Sequence, residues 1–369
     1  MAIKKITFDR NHNVEFYKTL QKRVREYFKE NNIDRYGNLN MVLKSIFMIS
    51  LYFVPLVLIT TYFTSTLAIV SMWILMGFGM TGIGLSIMHD ANHGAYSKHK
   101  NVNRFFGFII SFIGGSDVTW RMQHNVLHHT YTNVTGMDED INPGKVMRFS
   151  PHEKRYAAHK YQHIYAWFLY GLMTISWCTT KDFKQLYRYK KMGITDTQGT
   201  SFSRMLTVTI ITKIIYYAIT LALPLMFSPM AWYGTILCFL MMHFISGVAL
   251  AAIFQPAHVV PSSTYPLPDE SGNIKADWAV NQLVNTANFA QKSKWFTWYV
   301  GGLNYQVEHH LFPNICHVHY SNISKIVKKT AEEFSLPYNT QKTFFKALKV
   351  HGSMLKALGT KDVVNFHIH

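Results

Sequence analysis

The sequence predicts an all-α integral membrane protein whose four spanning helices form two hairpins. Three observations carry this reading. Of 369 residues, 49% are hydrophobic, 15% aromatic and only 15% charged, a balance that fits a bilayer protein better than a soluble domain. Ser45 to Met88 contains no Asp, Glu, Lys or Arg, and Met205 to Phe254 holds only Lys213 and His243 among readily titrating side chains. Each stretch is about twice the ~20 residues that one spanning helix needs, so each reads as two spans joined by a turn.

Local chemistry places those turns. Thr64-Ser65-Thr66 interrupts the first stretch, and Pro224 with Ser228-Pro229 interrupts the second. The spans then fall at 45–64, 67–88, 206–227 and 232–254, with Pro55 kinking the first rather than ending it. Leu67 to Met88 is about 33 Å long at helical rise, enough to cross the hydrocarbon and deliver His89 to the water interface. The chain divides into an N-terminal segment 1–44, a hairpin 45–88, a middle segment 89–204, a second hairpin 205–254 and a C-terminal segment 255–369. Phe105 to Gly115 and Ile164 to Cys178 are apolar but too short to span, and read as interfacial helices. Tyr320 to Glu333 and Thr343 to Leu358 show helical periodicity with lysines on the outer face.

Charge sets the orientation. Lys and Arg number 10 in residues 1–44, 15 in 89–204 and 11 in 255–369, and neither hairpin turn carries one. The positive-inside rule therefore places both termini and the middle segment in the cytoplasm. A net charge of +17 is expected of loops beside anionic headgroups and calls for no nucleic acid; part of it suits an acidic carrier or electron donor. The polar first 44 residues predict no cleaved signal peptide. The cysteines, Cys178, Cys238 and Cys316, lack metal-type or paired spacing, in keeping with a reducing compartment.

The chemistry lies in three histidine clusters just outside the apolar runs: His89-Asp90-Ala91-Asn92-His93, His124-Asn125-Val126-Leu127-His128-His129 and Gln306-Val307-Glu308-His309-His310. His89 and His93 are four apart, so a helix continuing out of the second span aims both at one centre. His124 and His128 repeat that spacing, with His129 turned roughly 100° away toward a neighbouring metal. His309 and His310 form a similar edge, with Gln306 one turn earlier, and His258 just past the last span is a further contributor. Eight imidazoles are enough for two metals and too many for one.

Neutral imidazole suits iron, copper, zinc or nickel, and a structural zinc would close with four ligands, commonly including cysteine. An excess of histidine with open positions favours a redox pair of irons that activates dioxygen. Asp90, Glu308 and the run Asp138-Glu139-Asp140 read as acceptors for histidine N–H groups, which orient and tune ligands. Asn92, Asn304 and His317 stand beside the clusters in the same supporting role. His243 is an intramembrane polar residue and so a functional candidate, set against a plain interhelical hydrogen bond. The other histidines, His12, His99, His152, His159, His163, His351, His367 and His369, read as structural or surface residues.

With these motifs in view, the chain resembles the membrane-bound fatty acid desaturase family, whose HxxxH, HxxHH and (H/Q)xxHH boxes stand here as HDANH, HNVLHH and QVEHH. Trp120-Arg121-Met122-Gln123 before the second box, Thr130-Tyr131-Thr132-Asn133 after it, Gly301-Gly302-Leu303-Asn304-Tyr305 before the third and Leu311-Phe312-Pro313 after it match as well. The glutamine at 306 is similar to the branch containing front-end and linoleoyl-CoA-type desaturases. The resemblance covers about residues 40 to 335. It implies a stalk of four spans, a cytosolic helical cap holding a di-iron site, and an apolar tunnel for an acyl chain.

By that resemblance the ligands of two ferrous ions are His89, His93, His124, His128, His129, His258, His309 and His310, with Gln306 as a weak or water-mediated ligand. Trp120, His243, Trp295, Trp298 and Tyr305 are candidate tunnel residues. The expected reaction uses dioxygen and two external electrons to remove hydrogens from adjacent methylenes of an acyl chain carried on coenzyme A, acyl carrier protein or a lipid, leaving a cis double bond. No His-Pro-Gly-Gly haem motif occurs and 44 leading residues cannot hold a fused cytochrome b5 domain, so the electrons are expected from a separate ferredoxin, or from cytochrome b5 with its reductase. The setting implied is a bacterial inner membrane. The same boxes also fit a fatty acid or alkane hydroxylase or an acetylenase. A membrane metal transporter would instead place polar ligands at the bilayer midplane.

Overall fold

A computed structural model describes residues 6–9 and 14–360; His12, His367 and His369 lie outside them. Four helices are long and apolar enough to cross a membrane: Leu39–Thr61, Thr66–Asn92, Phe202–Phe227 and Trp232–His258. They match the four expected spans in number and order, and the structure moves their ends. Asn38 caps the first by accepting a hydrogen bond from the Met41 amide, so the helix begins six residues before Ser45 and draws Lys44 inside, where the side chain is buried. Ser201 caps the third in the same way through the Arg204 amide, satisfying N–H groups that a helix start leaves open.

Proline does not act where its usual effect would place it. Pro55 sits within a helix that runs on to Thr61. Pro224 does not open the second turn, because the preceding turn, Ala218–Ala222, is π-helical and shifts the hydrogen-bond register ahead of the ring. The break comes at Ser228 instead. Pro256 likewise lies inside the fourth span helix, which therefore carries His258 in its own last turn rather than beyond its end.

The chain forms two compact units. The first joins Asn38–Met122 to Trp167–Ala251 and contains the spans up to Ala251. Its helices approach closely at small residues, as apolar surroundings favour. A Cβ on Gly79 would stand 2.6 Å from the Tyr52 amide nitrogen, so the second span rests directly on the first. Lys213, on the third span helix, is buried and donates to the carbonyls of Gly114 and Trp177, each at 2.6 Å, and to Asp182 at 2.5 Å. His243 is hydrogen-bonded to Tyr216 at 2.7 Å and Thr174 at 3.1 Å. It is thus an interhelical tie, which is a structural role.

The two short apolar stretches are helical. Lys100–Phe108 tightens into a 3₁₀ turn at Ile109–Ile113, and Gln162–Gly171 continues through Met173–Ser176 into a π turn at Trp177–Lys181.

The second unit gathers Gln123–Ala166, Ala252 onward and the N-terminal segment before Asn38. Helix Val14–Glu30 presents Phe16, Leu20 and Val24 at four-residue spacing. These pack in one apolar core with Val307 of the third box and Leu311 just after it, and with Ile323 and Val327 of helix Tyr320–Glu333. Strand Asn288–Phe289 pairs in parallel with Thr340–Gln341, and helix Phe344–Thr360 follows the latter.

Candidate metal centre

The second histidine box does not lie on an α-helix. Arg121–His128 is π-helical, and in this wider turn residue i+5 comes over residue i. His129 therefore turns toward His124, their Nε2 atoms 3.2 Å apart, while the His129 and His309 Nε2 atoms are 3.0 Å apart. His124 and His128 still come together as expected, their ligand atoms within 4.8 Å of each other and of Asp140, and the wider turn adds His129 to the neighbours of His124. His128 belongs with His258 and His310, whose ligand atoms all lie within 4.8 Å of one another; His129, His309 and His310 form a second such group.

The triad His128, His258 and His310 has a specific pattern of hydrogen bonds. Each Nδ1 is held by an acceptor: His128 by Asp138 at 3.0 Å, His258 by the Asn285 carbonyl at 3.1 Å, and His310 by the Gln282 side-chain oxygen at 2.8 Å. A bonded Nδ1–H fixes the tautomer with its lone pair on Nε2. All three Nε2 atoms are buried with no hydrogen-bond partner among the described residues. An arrangement of buried acceptors facing one another is costly unless a cation or donor fills it, so the donor set fits a metal. The 3.0 and 3.2 Å separations around His129 fit as well, since two nitrogens at right angles on one ion, each ~2.1 Å away, stand ~3 Å apart.

Electrostatics differ across the triad, favouring the neutral form at His310 and coupling His128 to a carboxylate. Burial and the surrounding imidazoles push His310 well below its usual pKa. Burial acts the same way on His128, but the Asp138 carboxylate reverses the direction and raises it. Burial alone would raise Asp138; His128 and the backbone amides of Asn133 and Asp140 hold it below the usual carboxylate range. Asp140 lies 3.4 Å from His128 Nδ1 and accepts from Gln123 at 2.5 Å.

In the first box, helix Met88–Asn92 follows a π turn at Ile83–Ile87 and brings the rings of His89 and His93 to 4.8 Å between centroids. The Trp120 indole meets both rings edge-on at 5.5 Å. Asp90 lies 3.6 Å from His89 Nδ1. Asn92 accepts from Arg121 at 3.1 Å and donates to the Gly107 carbonyl at 3.2 Å.

The third box follows the turn Gly301-Gly302, both at positive φ. A Cβ on Gly302 would stand 2.8 Å from the Cβ of His317, so only glycine fits there. Gln306 opens helix Gln306–Leu311, fully buried, with its amide beside His258. The His309 Nδ1 is 3.2 Å from the Tyr320 hydroxyl.

Glu308 departs from the sequence reading, for its carboxylate takes no imidazole N–H. It accepts from Asn288 at 2.8 Å and Tyr338 at 2.9 Å, and burial raises its pKa to about 7. The reason is helical geometry: Glu308 faces away from its histidine neighbours, toward the strand pair. Asn304 holds the same loop by donating to Phe289 O and Thr297 Oγ1.

Of the expected tunnel residues, Trp120 touches the histidines. Tyr305 is buried in the apolar core of the second unit with its hydroxyl on the Gln291 carbonyl. Trp298 is half-buried, and Trp295 is 73% exposed.

Two supporting residues, Gln282 and Asn285, stand apart from any motif, and a third, Thr132, lies in the segment that follows the second box. Helix Trp278–Val284, capped by Asp277, carries Gln282 to His310 and ends at Asn285, whose carbonyl holds His258. Thr132 donates to the same Gln282 oxygen at 2.8 Å. Replacing Gln282 with leucine is expected to weaken metal binding roughly 10–100-fold, the usual effect of losing a partner that orients a ligand. Metal titration of the purified variant measures it, and unchanged affinity would mean that His310 needs no such anchor.

Four helices long and apolar enough to cross a membrane, with buried histidine groups that could hold a metal, fit a membrane protein with a metal site. The sequence profile of the fatty acid desaturase family matches residues 64–342. The chain is 34% identical to an sn-1 linoleoyl-lipid 6-desaturase of Arthrospira platensis, over 96% of this chain and 95% of the relative. It is 33% identical to one of the same name from Synechocystis, over 93% and 95%. With an acyl-lipid (8-3)-desaturase of Physcomitrium patens the identity is 36%, over 95% of this chain and 73% of the relative. The chain belongs to the fatty acid desaturase family. It is an oxidoreductase of unsaturated fatty acid synthesis.

Proposed function

We propose that this desaturase binds two iron ions through His89, His93, His124, His128, His129, His258, His309 and His310 and acts on acyl chains esterified in membrane lipids. The observation that carries the metal reading is the triad of Nδ1-anchored imidazoles with three open, buried Nε2 atoms. The full-length correspondence with two linoleoyl-lipid 6-desaturases supports a linoleoyl chain as substrate and carbon 6 as the position of the new double bond.

When bound, an iron pair supplies with dioxygen the oxidising power to remove two hydrogens from adjacent methylenes, two electrons arriving from a separate donor protein. Side-chain acids and bases lack that power toward an alkyl C–H bond. The chain's own residues orient and shield. Asp138, Gln282 and the Asn285 carbonyl hold three imidazoles in one tautomer, and Gln306 lies beside His258 as a further oxygen donor. Trp120 packs edge-on against the His89 and His93 rings. The acyl chain must then be held so that one carbon pair meets the metals, since a displacement near 1 Å costs about 10²-fold in rate. Positively charged segments on one face favour a cytoplasmic centre reached by a soluble donor.

Expression in a host rich in linoleoyl lipids, followed by mass-spectrometric location of double bonds, tests the reading. A new cis bond at carbon 6 in intact lipids is expected. An oxygen atom retained in the chain would instead identify a hydroxylase, and desaturation found only on soluble thioesters would overturn the lipid-linked substrate.

A further inference from the structure

Two surface segments of the second unit carry basic and aromatic side chains and no acids. Between Asp277 and Glu308, and from Phe334 through Thr360, no Asp or Glu occurs. The parallel strand pair joins these segments: the Asn288 amide donates to the Asn339 carbonyl at 2.9 Å, and the Ala290 amide to the Gln341 carbonyl at 3.0 Å. The chain leaves both strands in the same direction and enters helices Lys294–Tyr299 and Phe344–Thr360. Phe344 packs on Phe296 at 5.0 Å, which fixes the two helix starts side by side.

What they leave outside is unusual for a water-facing surface. Trp295 is 73% and Phe345 80% exposed, although large aromatics normally bury most of their area. Around them Lys292, Lys294, Lys342 and Lys346 are exposed. None of these four lysines enters an ion pair among the described residues. Along the second helix Lys349 and Lys356 continue the same outer face, opposite the buried Ala347, Met354 and Leu358.

We propose that this patch is a lipid-contacting surface that seats Trp295 and Phe345 at the acyl boundary of an anionic bilayer while the lysines hold phosphate headgroups. Indole and phenyl rings flanked by lysine are the side chains that settle at that boundary. Lysines alone would equally suit an acidic protein. The two exposed aromatic rings among them, Trp295 stacked on Tyr299 at 5.8 Å, favour lipid, because aromatic rings interleaved with lysine match the headgroup and acyl layers together. The loop that follows Tyr299 leads through Gly301-Gly302 into the third histidine box, and Asn304 is tied to Thr297 of the patch helix at 3.0 Å. Lipid contact here therefore bears on the segment that supplies His309 and His310. The proposal does not depend on the desaturation chemistry, since it is read without turnover.

The experiment uses the full chain in nanodiscs of brominated phosphatidylcholine, alone or mixed equally with phosphatidylglycerol. The Trp295 signal is the fluorescence difference between wild type and Trp295→Phe. In the mixed discs that signal is expected to fall by roughly half through bromine quenching, as for an indole at the acyl boundary. Lys292→Gln/Lys294→Gln should relieve the quenching, each lysine shifting occupancy about fivefold. All three substitutions are at exposed positions, and an unaltered metal content checks the fold. Quenching by aqueous acrylamide but not by brominated lipid overturns the proposal. So does equal quenching with and without phosphatidylglycerol, or shielding that comes only from an added acidic redox protein.

Discussion

Replacing His310 with alanine is expected to lower bound metal and to reduce desaturation by more than about a hundredfold, beyond the 10–100-fold that loss of a supporting partner costs. His310 has this weight because its imidazole belongs to both histidine groups of the second unit, the one with His128 and His258 and the one with His129 and His309. Its loss also leaves the Gln282 oxygen with Thr132 as its remaining donor. His351→Ala is the control. That imidazole is just as buried and bonds to the Val259 carbonyl over 2.9 Å, yet it stands in neither group. It should lose stability and keep its metal. Metal analysis beside product analysis separates the two cases, and a His310→Ala protein with full metal and full activity would remove His310 from the centre.

The histidine boxes were legible because their chemistry repeats at short spacing. Four-residue intervals at the end of an apolar run announce a shared helix face, and His89 and His93 lie on one. The spans were legible for a similar reason, since a long stretch free of charge is what the hydrocarbon of a bilayer demands of a helix that crosses it. Backbone register has no such signature. The π turn at Arg121–His128 adds His129 to the neighbours of His124, and neither residue type nor spacing marks it. Gln282 and Asn285 are single polar residues in ordinary sequence, and what makes them part of the site is a fold that brings positions 258 and 310 to the same helix. Glu308 shows the converse, a carboxylate between candidate ligands that turns to Asn288 and Tyr338. The N-terminal helix lies in between. Its Phe16, Leu20 and Val24 stripe is periodic, but the polar composition around it conceals a helix that packs against the third box.

Lys213→Met is expected to destabilise the first unit by about 3–5 kcal/mol, the cost of stripping one partner from a buried ion pair. The ammonium of Lys213 is enclosed by two carbonyls and the Asp182 carboxylate, and its removal leaves Asp182 charged in an apolar setting with Thr119 at 2.7 Å as its remaining side-chain donor. Thr119 stands beside Trp120 on the short helix Asp117–Trp120, which runs directly into the second histidine box. The disturbance should therefore reach the histidine site, seen as loss of bound metal during denaturant or thermal unfolding in detergent. The double variant Lys213→Met/Asp182→Leu removes both charges, and replacing a buried pair by apolar residues is often neutral or better. It should recover most of the stability. If the single variant instead costs no more than about 1 kcal/mol, as exposed pairs do, the pair is solvated and does not anchor Thr119. If the double variant recovers stability but not metal, Asp182 acts on Thr119 directly and its charge, rather than the pair, positions the helix that carries Trp120.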